Sequence, residues 1–125
     1  MGYYTTYEFG TKGNKYKVKD IASYIKEELY DKSNGNKFYP FSYELDLLFL
    51  EENIYDFELH SDDTKWYRHD EEMLELSKQF PETVFYLYGV GEDNNDMWYK
   101  YYKNGKSQYC PAKITYDEYD KSKLV

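Results

Sequence analysis

The chain has 125 residues, 22% aromatic and 32% charged, with 18 tyrosines and a formal net charge of −8. This length fits a single domain, 1–125, that can bury a core without staples, and a lone cysteine, Cys110, excludes the disulfide framework of a small secreted scaffold. The longest purely apolar run, Leu47 to Leu50, is far short of a membrane span, and no basic and apolar leader pattern opens the chain, so the expectation is a cytoplasmic protein.

Tyr3, Thr5, Tyr7 and Phe9 alternate with polar positions and predict a first strand. A lysine and glycine turn over 11–15 follows. Asp20 stands where a cap belongs for a helix over 21–30, whose Ile21, Tyr24, Ile25 and Leu29 form one apolar stripe, and Asp31 to Gly35 ends it. Two readings stay open for the next segment: Phe41, Tyr43, Leu45 and Leu47 alternate as a strand would, whereas Tyr43, Leu47, Leu50 and Ile54 fit a helix. Tyr55, Phe57 and Leu59 alternate with Asp56, Glu58 and His60, the pattern of a half-buried strand with an acidic outer face.

Asp70 is placed to cap a helix over 71–80, which carries acids in its first turn, where the helix dipole favours them, and stops before Pro81. Met73, Leu76, Ser77 and Phe80 mark its buried side. Thr83 to Val90 is apolar or aromatic on both faces, as a central strand is. Gly89, Gly91 and Asn94-Asn95 then turn the chain into a strand over 97–103; Asn104-Gly105 has type I′ turn chemistry, and 106–110 returns as a third strand. Trp98, Lys100 and Tyr102 share one face of that meander and Met97, Tyr99 and Tyr101 the other, one of which packs on helices. The elements together predict an α+β fold, a mostly antiparallel sheet with two helices on one face.

Charge is distributed unevenly along the chain. Residues 1–40 carry seven lysines against five acids and residues 97–125 six lysines against three acids, while 41–96 carry three basic side chains against sixteen acids, a local charge of −13. Such a field repels phosphate backbones and attracts basic surfaces, although a solubilising surface has the same composition. Tyrosine at this density exceeds what one small core holds, and exposed tyrosine offers large contact area at low entropic cost, as at protein interfaces. AT-rich codon usage raises the same residue types.

Gly89-x-Gly91 lacks the third glycine of a dinucleotide loop, since Asn94 stands there, and no helix follows it. His60 and His69, with Asp62, Asp63 and Asp70 near them, make a metal-dependent enzyme one alternative if the loop folds back. Cys110 lacks a positioned base and reads as a small apolar residue. Paired acids such as Glu51-Glu52 would need a substrate cleft to serve glycoside chemistry. A second alternative is a single-stranded RNA-binding module, with Trp98, Tyr101 or Tyr102 stacking bases and Lys100, Lys103, Lys106 and Lys113 near phosphates, although lysines on an edge strand also guard against aggregation.

Several spaced motifs lie between Lys65 and Gln108: Trp66-Tyr67 before an acidic helix, Leu76-Ser77-Lys78-Gln79-Phe80-Pro81, Gly89-Val90-Gly91-Glu92, and Asp96-Met97-Trp98 running to Asn104-Gly105. This stretch resembles the ferredoxin-like domain of phage and plasmid proteins of the Api and YubB-like type. The resemblance implies helices on one side of an α+β sheet and a mobile-element origin; it implies no catalytic residues, and the first sixty residues do not match. Composition and resemblance together point to a non-enzymatic inhibitor of a host defence system, an anti-CRISPR protein in the cytoplasm of the host bacterium. Carboxylates standing in for phosphates and tyrosines for bases would occupy the basic channel of a CRISPR effector nuclease. The expected partner-binding residues are Glu51, Glu52, Asp56, Glu58, Asp62, Asp63, Glu92, Asp93, Asp96, Tyr55 and Tyr67, with no cofactor and no metal.

Overall fold

The computed structural model describes residues 3–29, 38–93 and 95–125. Met1-Gly2, the predicted helix end at Tyr30 to Gly35, and Asn94 of the predicted turn lie outside them. Five strands form one antiparallel sheet: β1 (Thr5–Lys12), β2 (Glu58–His60), β3 (Val84–Gly91), β4 (Met97–Lys103) and β5 (Lys106–Pro111), in spatial order β2-β1-β3-β4-β5. Three helices complete the fold: α1 (Val18–Tyr24), continued by a π-turn over Ile25–Leu29, α2 (Ser42–Leu48) and α3 (His69–Gln79).

The α+β class holds, with three helices where two are expected. β2, α3 and β3 form a split βαβ unit with β1 inserted between its two strands, and β3, β4 and β5 are the predicted meander. Cross-strand register explains the single core. Phe9 stands opposite both Leu59 and Leu87, Phe85 opposite Tyr102, and Gly89 opposite Trp98, so these side chains share one face of the sheet. That face meets Ile21, Ala22 and Ile25 from the first helix, Leu45 from α2, and Met73 and Leu76 from α3. Phe9 is fully buried within a ring of Phe38, Phe41, Phe57 and Phe85, at centroid distances of 5.4–6.3 Å. Gly89 is a close-approach glycine, because a Cβ there would overlap the Trp98 indole.

Some predicted elements shift, each for a tertiary reason. The ambiguous 41–54 segment is helical over Ser42–Leu48, but its core side is Phe41, Leu45 and Leu48, while Tyr43, Leu47, Leu50 and Ile54 face outward. The strand expected from Tyr55 shrinks to Glu58–His60. Asp56 instead accepts hydrogen bonds from the Thr11 hydroxyl (2.9 Å) and the Gly13 and Asn14 N–H groups (3.1 and 2.8 Å), bracing the turn after β1. Lys17 rather than Asp20 occupies the position before α1, and Asp70 lies inside the first turn of α3 with its carboxylate turned to the sheet. The Asn104-Gly105 turn has positive φ at both residues, +47° and +77°, as type I′ requires. Its Gly105 N–H donates to Ser77 Oγ of α3 at 2.9 Å, fastening hairpin to helix. No helix among the described residues is long and apolar enough to cross a membrane.

Candidate functional site

Most of the expected partner-binding acids are spread between the two ends of β1, with Glu58 between them opposite Gly10. Asp62 and Asp63 follow β2, and Glu92, Asp93 and Asp96 lie between β3 and β4; Thr5 pairs with both Thr64 and Gly91, which brings these two segments to the start of β1. Asp56 lies at its far end, about 23 Å away at the rise of an eight-residue strand, while Glu51 and Glu52 sit beside Lys19 of α1. They do not form one patch.

Several of these acids also have internal work. Asp63 accepts from the Thr6 hydroxyl (2.5 Å), Asp96 from the Tyr3 hydroxyl (2.5 Å), and Glu52 pairs with Lys19 (2.9 Å). Burial alone would raise the Asp56 carboxyl, but its three donors hold it below the ordinary aspartate range. Glu51, Asp62, Glu92 and Asp93 are exposed, and so are Tyr55 and Tyr67.

Among the described residues, no helix covers the second face of the sheet. On it Tyr88 and Tyr99 stand 4.7 Å apart between ring centroids, Tyr101 stacks on Tyr99 at 6.0 Å and 10°, and Tyr86 lies 6.1 Å from Tyr99. Glu8 and Glu58 flank this ladder. The Tyr86 hydroxyl lies within hydrogen-bond distance of both, at 3.0 and 3.1 Å, sharing its one proton between them, and burial together with the two carboxylates pushes the phenol well above its ordinary value. Asp62, Asp63, Glu92 and Asp93 border one end of this face; Lys12, Lys103 and Lys106 border the other.

His60 lies on this face within 3.2 Å of Glu8 and 3.4 Å of Glu58, whereas His69 opens α3 on the covered side. The two histidines therefore do not meet at a common metal. Of the RNA-binding alternative's residues, Trp98 and Tyr102 are buried against the helices and Lys100 points the same way, whereas Tyr101, Lys103 and Lys106 stand on the uncovered face.

Trp98 and Lys100 instead line a cavity of about 420 Å³ at the start of α3. Alternation on β4 puts Lys100 on the helix-covered face, where an ammonium needs a counter-charge. Asp70 supplies it, at 3.1 Å, and also accepts from the Tyr102 hydroxyl at 2.5 Å. The His69 Nδ1–H donates to the Trp66 carbonyl (2.8 Å), which leaves Nε2 to accept from Lys100 Nζ (3.0 Å); both contacts suit a neutral imidazole. Burial holds His69 below its ordinary value, and the neighbouring ammonium adds to that. Burial would raise Asp70, but Tyr102, His69 and Lys100 together hold it low. The His69 ring lies parallel to Trp98 at 5.6 Å, and Lys100 Nζ sits over Trp98 (4.8 Å) and Tyr109 (5.6 Å). Tyr3, Tyr67, Asp96 and Tyr109 also line the cavity.

Two expected partner residues, Tyr67 and Asp96, thus belong to this cavity, and His69, Asp70, Trp98 and Lys100 join them unforeseen in these roles. The signal was the strand period: a lysine between Trp98 and Tyr102 on a buried face has to find a carboxylate. Compared with known proteins, the chain matches no family model, no curated protein and no solved structure, so the resemblance over 65–108 rests on its quoted motifs alone.

Proposed function

We propose that this chain is a non-enzymatic binding protein of mobile-element type that inhibits a nucleic-acid-handling host defence protein, a CRISPR effector nuclease, by occupying its basic surface. The observation that carries the reading is the uncovered sheet face, where four tyrosines stand side by side with Glu8 and Glu58 along one border and four exposed or partly exposed acids at one end. Tyr88, Tyr99 and Tyr101, over the buried Tyr86, supply aromatic contact area, and the carboxylates supply attraction to arginine and lysine and steer association. The phosphate-like role belongs to Asp62, Asp63, Glu92 and Asp93, which share an end of the sheet. Asp56 lies at the other end of β1, outside this cluster.

The test is competition. Wild-type protein displaces target DNA from a guide-loaded effector nuclease with an apparent affinity that weakens as salt rises, and a variant carrying Tyr99→Ser, Tyr101→Ser, Glu8→Gln and Glu58→Gln folds but loses displacement. Absence of displacement across a panel of effector nucleases overturns the inhibitor reading. Retention of single-stranded RNA by the wild type at about 0.15 M salt, where screening limits non-specific contacts, moves the function to the lysine-bordered end of the same face.

A further inference from the structure

We infer that the cavity at the start of α3 is a receptor for a guanidinium group, an arginine side chain presented by a partner protein. Three observations converge on that chemistry. The first is charge: the lining holds Lys100, Asp70 and Asp96, with His69 kept neutral by its two contacts, so one negative charge is left over. The complement of that surplus is a single cation, and phosphate or carboxylate ligands are disfavoured.

The second is the wall chemistry, which the protein already uses on itself. Lys100 places its own ammonium over the faces of Trp98 and Tyr109 and against Asp70, the arrangement by which aromatic and acidic surfaces hold cations. Tyr67 and Tyr109, 68% and 60% exposed, extend those aromatic surfaces to the opening, where a planar guanidinium stacks better than a compact ammonium.

The third is an acceptor with capacity to spare. Asp96 takes one hydrogen bond, from the Tyr3 hydroxyl, and among the described residues its remaining lone pairs are unused. The same Tyr3 hydroxyl accepts from the Asp93 N–H at 3.1 Å, so the carboxylate is held in place before any ligand arrives. A preorganised carboxylate beside aromatic faces matches the fork of arginine. The volume of about 420 Å³ lies in the range of small-ligand sites. The opening adjoins the Glu92 and Asp93 end of the sheet, so the inference rests on the proposed basic partner for its biological setting but not for its chemistry.

A model compound separates the two. Isotope-labelled full-length protein is titrated with Nα-acetyl-arginine N-methylamide and, in parallel, with the citrulline analogue, which keeps shape and loses charge. The expected result is a saturable shift of the Trp98 indole N–H resonance with the arginine compound, and binding about tenfold weaker or more with citrulline. Asp96→Asn weakens arginine binding at least about fivefold while amide shifts of β1 and β3 stay in place; Tyr67→Leu, on an exposed side chain, does the same if Asp96→Asn disturbs the loop. Equal response to citrulline, no response at Trp98, or unchanged affinity in both variants overturns the inference. Arginine binding without displacement of any effector nuclease keeps the receptor and removes the inhibitor function.

Discussion

Tyr102 and Tyr99 stand three residues apart on β4, on opposite faces of the sheet, and are used in opposite ways. Tyr102 is fully buried, and its hydroxyl lies 2.5 Å from the Asp70 carboxylate, which together with burial drives the phenol far above its ordinary value. Tyr99 is 38% exposed, stacks on tyrosines alone, and has no hydrogen-bond partner for its hydroxyl among the described residues. One residue type therefore serves as an internal strut on the covered face and as display on the uncovered one. Buried packing is concentrated on the first face and partly exposed tyrosine on the second, so substitutions on the two should separate folding from the proposed contact with the effector nuclease.

The strongest way to break that contrast is Phe9→Ala. Its ring is enclosed by four other phenylalanines with no exposed atom, so truncation should cost about 3–5 kcal/mol in urea unfolding. A loss under about 1 kcal/mol would mean the covered face is not the core. Gly105→Val comes next, at about 1–3 kcal/mol, because φ of +77° strains any β-branched residue and the turn also holds Ser77 of α3. Its Cβ would meet only the flexible end of Lys78, so strain rather than clash sets the cost; an unchanged midpoint would remove the turn from the list of covered-face supports.

His69 sharpens the comparison through pH. Its folded value lies below the ordinary 6.5, so between the two values the unfolded chain binds more protons than the folded one, and stability rises with pH across that window. The native protein has its full share above about pH 6.5 and loses it as pH falls through the folded value, by at most about 1.4 kcal/mol per pH unit. Denaturation midpoints followed from pH 7.5 to 5 should show this slope, and His69→Gln should lack it. The smallest effect belongs to the border of the uncovered face: Glu92→Ser with Asp93→Ser should leave stability within about 0.5 kcal/mol, since both side chains are exposed and unpaired among the described residues. A larger loss would make that loop part of the scaffold and withdraw its acids from binding.

Local chemistry made the C-terminal half readable. The strand over 97–103 has the expected bounds, the Asn-Gly turn has the expected φ values, and the stretch expected over 83–90 is the central strand of five, Val84–Gly91. Elsewhere tertiary demand decided. Asp56 is drawn into bracing the turn after β1, which shortens β2, and α2 turns Phe41, Leu45 and Leu48 inward although Tyr43, Leu47 and Leu50 form an equally good stripe. The cavity was legible in its members and not in its assembly. His69, Trp98 and Lys100 each stood out by type, but only the register of β3 against β4 and the seat of α3 bring them together over Asp70.

The insertion of β1 between β2 and β3 also sets an order of events as the chain emerges from the ribosome. Thr5 pairs with Gly91, a separation of 86 residues, so β1 waits for that length of chain before its second neighbour exists. Such non-local closure slows folding. Until β3 arrives, Tyr7 and Phe9 lack one side of their sheet, and nascent chains stalled before residue 84 present an apolar strand edge to chaperones and proteases.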